Sequence, residues 1–190
     1  MKLTGVQKLA RVLRVMVIVV FVCNIAALVL VPVMAMLTPS GAAEHLLGLA
    51  QLGEDDIFIP FGVLWVAAWG AVWYEAYPLV LTLFLWACGI CTAIILWQAR
   101  RVLDTVLKGE TFTFGNADNM KRAAVCCFVI SGAALARTVW GLFYYRSVAP
   151  LLTYNFLFVP LFLLAGLVCM VMSALFRQAA EMKAENDLTI

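Results

Sequence analysis

Residues 15–37 read VMVIVVFVCNIAALVLVPVMAML, a run of 23 residues without a charged side chain. At a rise of about 1.5 Å per residue, an α-helix of this length crosses the roughly 30 Å hydrocarbon core of a bilayer. Basic residues precede the run, and they are Lys2, Lys8, Arg11 and Arg14. The stretch therefore predicts a first transmembrane helix.

Three more apolar runs follow, at about 78–97, 123–143 and 156–176, and each is flanked by basic residues. Of the 190 residues, 65% are hydrophobic, against about 45–50% in soluble domains. Such a chain has no room for a large soluble domain or a nucleotide-binding fold. We predict an all-α integral membrane four-helix bundle, built as a single four-span domain over residues 1–190.

A fifth apolar segment, 57–73, has 17 residues and lies at the lower limit for crossing a membrane. If it crossed, the basic loop 98–122 would lie opposite the basic amino terminus, against the preference of basic residues for the cytoplasm. Four spans place both of them, with the tail 177–190, in the cytoplasm. The outer loop 38–77 then contains no Lys or Arg. We therefore predict an extra outer helix, interfacial or re-entrant, and cytoplasmic amino and carboxyl termini.

The outer segment carries Trp65, Trp69 and Trp73 at successive i+4 positions, which would form an aromatic stripe on a helix. One interpretation is an interfacial helix, because Trp favours the membrane interface. The other is an aromatic cage that, together with Glu75, binds an organic cation. The sequence leaves both open.

Arg137 is the only charged residue inside a predicted span, and a charge in hydrocarbon is costly unless it is paired or reaches the interface. A structural role, by pairing with Glu75 or by snorkelling, competes with a role in binding a ligand or an ion. Asn24 lies near the middle of the first span and Asn155 at the start of the fourth. Interhelical hydrogen bonding is the expected role of both.

No catalytic or metal-binding motif has the spacing or context that it requires. Cys88 and Cys91 have CxxC spacing but lie mid-span, and His45 is the single histidine. We expect a non-enzymatic protein with no cofactor, no metal site and no direct contact with nucleic acid. The cysteines are expected to be buried apolar thiols, and they are Cys23, Cys88, Cys91, Cys126, Cys127 and Cys169.

The predicted cytoplasmic loop and tail have recognisable helix signals. Gly109 is expected to end the helix that continues from the second span, and Asn116 to cap the helix that leads into the third. The tail from Arg177 is expected to continue the fourth helix as far as the polar residues 185–187. Its apolar end, 188–190, would either fold back on the loop or contact a soluble partner.

The pattern Gly109-x-x-Phe112-Thr113-x-x-Asn116, with Phe176-Arg177-x-Ala179 and Glu185-Asn186-Asp187-Leu188-Thr189-Ile190, resembles a bacterial four-span membrane family known as domain of unknown function 2975. Thr111 and Gly115 depart from the proline and the acidic residue common in that pattern. The resemblance implies a bacterial inner-membrane protein. It also implies a small helix-turn-helix regulator as partner, because members are often encoded beside one. It brings no catalytic residues.

Our first hypothesis is a sensor or sequestering partner of a small cytoplasmic transcription regulator. The alternative is a small transporter or channel subunit, a homo-oligomer whose polar path includes Asn24, Glu75 and Arg137. A membrane enzyme is a third idea and would need Glu75, Arg137 or His45 together in a cavity open to lipid. The partner-binding residues of the first hypothesis are Gly109, Phe112, Asn116, Arg177, Glu185, Asn186, Asp187, Leu188 and Ile190.

Overall fold

The computed structural model describes residues 5–36, 61–73 and 76–188, and all regular secondary structure within them is helical. The all-α prediction is confirmed. The helices are α1 (Gly5–Met36), α2 (Phe61–Val72), α3 (Ala76–Lys108), α4 (Phe114–Tyr145), a short 3-10 helix (Ala149–Leu152) and α5 (Tyr154–Leu188).

Four of these helices, α1, α3, α4 and α5, are long and apolar enough to cross a membrane, with mean hydropathies of 1.7 to 2.9 over their best windows. The predicted spans lie within them, the first as far as its last described residue, Met36. Helix α2 has 12 residues, or about 18 Å, which is too short to cross the hydrocarbon core. The chain is therefore a multi-pass membrane protein with four candidate spanning helices.

The chain divides into two compact units. The larger unit contains Met1–Ile25 and Cys88–Ile190, and the smaller unit contains Ala26–Ala87. Four-span sequences of this kind turn apolar side chains toward lipid, and many Val and Leu side chains of α1 and α5 are indeed exposed on the protein surface.

Helices α4 and α5 of the larger unit pack closely because small residues lie between them. A Cβ atom added at Gly166 of α5 would lie 2.7 Å from Cε1 of Phe128 on α4. The Ser131 hydroxyl of α4 donates a hydrogen bond of 2.9 Å to the carbonyl of Val159, next to Pro160 inside α5. Small residues at these positions thus bring the two backbones together.

The cysteines of the larger unit contribute to its apolar core. Cys91, Cys126 and Ile130 form a buried cluster against which Cys88 packs. All six cysteines are free thiols; Cys91, Cys126 and Cys127 are buried as expected, whereas Cys88 and Cys169 are only half-buried and Cys23 is exposed. Its position on the lipid-exposed side of an apolar helix explains the difference, since a thiol there needs no cover from the protein.

Candidate functional site

An ion pair connects α1 and α3 at one end of the larger unit. Arg14 Nε lies 2.8 Å from Asp104 Oδ1, and both side chains are about one third exposed (39% and 33%). Arg14 immediately precedes the apolar part of α1, whereas Asp104 follows the apolar part of α3. The start of α1, the end of α3 and the loop after α3 therefore lie at the same end of this unit.

The buried side chain of Asn116 fastens the loop between α3 and α4. Its surface exposure is 0%, and its Nδ2 donates hydrogen bonds of 2.7 Å to the Thr105 hydroxyl and 2.7 Å to the Thr111 carbonyl. The Thr105 hydroxyl in turn donates to the carbonyl of Val102. One amide thus connects the last turns of α3, the loop and the first turn of α4; we call this arrangement the Asn116 lock.

The loop itself is a tight helix-to-helix connection. Gly109 ends α3 with a φ of +82°, a conformation that favours glycine, and the amide of Glu110 donates to the carbonyl of Thr105 at 3.0 Å. This confirms the predicted C-cap. The prediction that Asn116 caps α4 is wrong, because Thr113 is the N-cap: its hydroxyl accepts from the Asn116 amide at 3.3 Å. Asn116 is the third helical residue, and its side chain reaches back to α3.

The tail packs beside this loop. The Phe112 and Phe176 rings are 6.1 Å apart, and the Ser173 hydroxyl donates to the carbonyl of Ala117 at 2.7 Å. Beyond them α5 continues as one helix, through the polar residues 185–187 at which the sequence predicts its end, to Leu188. We call residues 109–117 and 173–186 together the loop–tail surface.

The structure places the predicted partner-binding residues as follows. Gly109 and Phe112 are exposed in the loop half of the loop–tail surface, whereas Asn116 is fully buried beneath it and offers no side-chain contact to a partner. Arg177 pairs with Glu181 one turn along α5 at 3.2 Å. Glu185 and Asn186 are exposed on the last turns of α5. Asp187 and Leu188 are helical, and Ile190 lies outside the described residues.

Sequence reasoning missed Thr105 and Thr113, the two threonines of the Asn116 lock. Thr113 had a usable signal, because threonine directly before a helix is a preferred N-cap. Thr105 had none, since its contact with Asn116 depends on how the loop folds back across 11 positions.

Arg137 forms an interhelical contact on α4. Its Nη1 donates a hydrogen bond of 3.0 Å to Oδ1 of Asn155 on α5, which gives Asn155 its predicted role. The suggested partner Glu75 lies outside the described residues. Asn24 does not show the expected hydrogen bond: its Oδ1 is buried and has no partner in the parts of the chain that the structure describes.

We expect Arg137 and Asn155 to be energetically coupled. In a double-mutant cycle of Arg137→Ala and Asn155→Ala, the two substitutions together should cost less stability than the sum of the singles, by about 0.6–1.7 kcal/mol, the range of measured interhelical hydrogen bonds in membranes. Reversible unfolding in detergent measures the four free energies. Strict additivity would contradict a contribution of this bond to stability.

The predicted aromatic stripe forms within the smaller unit. The Trp69 ring contacts the rings of Trp65 at 6.1 Å, Trp73 at 5.9 Å and Trp86 at 5.2 Å. The Trp65 indole N–H donates to the carbonyl of Val29 at 2.8 Å. Trp69 is thus packed among other indoles, and Glu75, the carboxylate of the proposed cage, lies outside the described residues.

The Asn116 lock, the loop and the tail all fall inside a recognised sequence family. A family model described as "Protein of unknown function (DUF2975)" matches residues 63–190, which is more than half of the chain. No curated protein and no solved structure matches the chain. The chain belongs to the DUF2975 family.

Proposed function

We propose that this protein is a non-enzymatic component of the bacterial inner membrane that holds a small cytoplasmic helix-turn-helix regulator at the loop–tail surface and changes its hold in response to a signal. The proposed orientation, with both termini in the cytoplasm, rests on the positive-inside preference. The Arg14–Asp104 pair supports it, because the pair keeps the basic start of α1 and the basic loop together.

The observation that carries the proposal is the combination of an extended helix with exposed aromatic side chains. Helix α5 continues past Arg177 to Leu188, about 18 Å beyond the apolar run. Beside it Phe112 and Phe114 are 52% and 50% exposed, and Met182 on the tail is 57% exposed. Aromatic residues and Met among charged neighbours are typical of protein–protein contact surfaces.

The Asn116 lock gives this surface two properties that a regulator-binding site needs. It ties the loop, at the carbonyl of Thr111 next to Phe112, to the end of α3, so that the loop keeps one arrangement beside the tail. It also couples that arrangement to α3 and α4, since the amide bonds to both the helix end and the loop. A shift of one spanning helix would then alter the loop–tail surface, which is how a signal would change the affinity for the regulator.

The test is an affinity pull-down from native membranes with three versions of the chain: full length, ending at Arg177, and Phe112→Ala. The proposal predicts that the full-length chain alone retains a small helix-turn-helix protein. With the purified regulator, Phe112→Ala should weaken binding about tenfold, as removal of an aromatic hot spot does. Biolayer interferometry in detergent measures this affinity.

Leu152→Ala is the matched control. Leu152 is 89% exposed but lies at the other end of α4, in the short 3-10 helix, so its replacement should leave binding unchanged. If no version retains a soluble partner, the regulator proposal fails, and flux measurements in liposomes would then test the transporter alternative. Equal loss of binding in Leu152→Ala and Phe112→Ala would also contradict the loop–tail surface as the contact site.

A further inference from the structure

A groove between α1 and α3 combines apolar walls with cations. It is lined by Val17, Ile18, Phe21, Leu96, Trp97 and Arg100. The groove encloses about 20 Å³, whereas pockets that bind drug-sized molecules enclose roughly 300–1,000 Å³. A compact drug-sized ligand would therefore not fit inside it. The groove is open along the apolar spanning helices. In a membrane such helices are surrounded by lipid acyl chains, so an acyl chain is the natural occupant of the groove.

The cationic end of the groove is built around one indole. The guanidinium carbons of Arg100 and Arg101 lie 5.3 Å and 6.0 Å from the centre of the Trp97 ring. The Phe21 ring packs on the same tryptophan with a centroid distance of 6.0 Å. Trp97 is the last residue of its apolar run, and tryptophan at that position marks the level of the lipid headgroups.

No ion pair within the described residues balances the charges of Arg100 and Arg101. In the part of the chain that the structure describes, the ion pairs are Arg14–Asp104 and Arg177–Glu181, and neither includes Arg100 or Arg101. Asp104, one helical turn beyond Arg100, is already paired with Arg14. Two cations held on one ring at headgroup level are therefore available for an anion, and guanidinium groups match phosphate geometry.

We propose that this groove is a binding site for an anionic phospholipid. One acyl chain lies along Val17, Ile18, Phe21 and Leu96, and the phosphate contacts Arg100, with Arg101 adding to the local positive charge. The site lies on a different pair of helices from the loop–tail surface, and it does not depend on the regulator.

Native mass spectrometry of the full chain in a mild detergent tests this directly. The protein is mixed with equal amounts of phosphatidylglycerol and phosphatidylcholine that have the same acyl chains. We expect wild-type protein to retain more phosphatidylglycerol than phosphatidylcholine. Arg100→Gln should lower the ratio about fivefold, the effect of about 1 kcal/mol for one cation near a lipid surface.

Arg122→Gln is the matched control, because Arg122 is exposed near the same end of the larger unit but does not line the groove. It should keep the wild-type ratio. Ile18→Trp keeps every charge and fills the groove, so it should lower retention of both lipids. Equal retention of the two lipids by wild-type protein, or the same fall in Arg122→Gln as in Arg100→Gln, would overturn the proposal.

Addition of glycerol 3-phosphate distinguishes a lipid site from a simple anion site. If the acyl chain contributes to binding, millimolar glycerol 3-phosphate should leave the phosphatidylglycerol adduct in place. Displacement of the lipid by the soluble phosphate, with Ile18→Trp behaving as wild type, would show that only the arginines bind and that the groove takes no acyl chain.

Discussion

Asn116→Ala should lower the free energy of unfolding by about 2 kcal/mol, because it removes two hydrogen bonds from a fully buried side chain. The Thr105 hydroxyl and the Thr111 carbonyl would each lose a donor. Part of the cost is offset, since the Oδ1 atom of Asn116, itself buried without a partner among the described residues, disappears too.

Hydrogen–deuterium exchange with mass spectrometry would locate this effect. We expect faster exchange in residues 109–118 of Asn116→Ala, while the middle of α5 keeps wild-type exchange. Asn119→Ala is the matched control: Asn119 lies three residues further along α4 and takes no part in the lock. Similar exchange in both variants, or no change in the loop of Asn116→Ala, would refute the structural role of the lock.

Among the glycines of α4 and α5, Gly166 should be the one at which replacement by alanine lowers stability most. The new Cβ would lie 2.7 to 3.1 Å from three atoms of the Phe128 ring, and such overpacking costs about 1–3 kcal/mol. Alanine gains roughly 1 kcal/mol over glycine in helix propensity, so we expect a net loss of up to about 2 kcal/mol.

Gly132→Ala on α4 separates the steric cost of the methyl group from the gain in helix propensity, because a Cβ at Gly132 meets nothing within 4 Å. That variant should be as stable as wild type or slightly more so. Phe128→Leu should restore part of the stability of Gly166→Ala by vacating the space that the methyl group needs. Thermal unfolding in detergent, followed by circular dichroism, measures all four proteins. If Gly166→Ala were as stable as Gly132→Ala, the α4–α5 interface would accommodate the methyl group at no cost, which would contradict this prediction.

The spanning helices were predictable because the hydropathy of consecutive residues is enough to identify them. An uncharged run such as 15–37 has to be helical in a membrane, where every backbone polar group needs a partner within its own segment. Gly109 was predictable for a similar reason, since a glycine after a helical pattern marks its end. Both features depend on neighbours in sequence alone.

The contacts of the candidate site depend on which helix faces meet, and a single sequence does not contain that information. Asn116 reaches Thr105 only because the turn at Gly109 folds α4 back along α3. Arg137 reaches Asn155 only because α5 returns beside α4. The sequence predicted a helix-capping role for Asn116, which is wrong, and it suggested Glu75 rather than Asn155 as the partner of Arg137.

Because α5 is long, a small bend near its start produces a larger displacement of its end. Pro160 lies inside the helix and removes a backbone donor, which permits bending at that point. From Pro160 to Leu188 the helix extends 28 residues, or about 42 Å. A tilt of roughly 5° at Pro160 would sweep the tip through about 4 Å, on the scale of a helical turn. A small bend near the start of α5 thereby becomes a larger displacement at its far end.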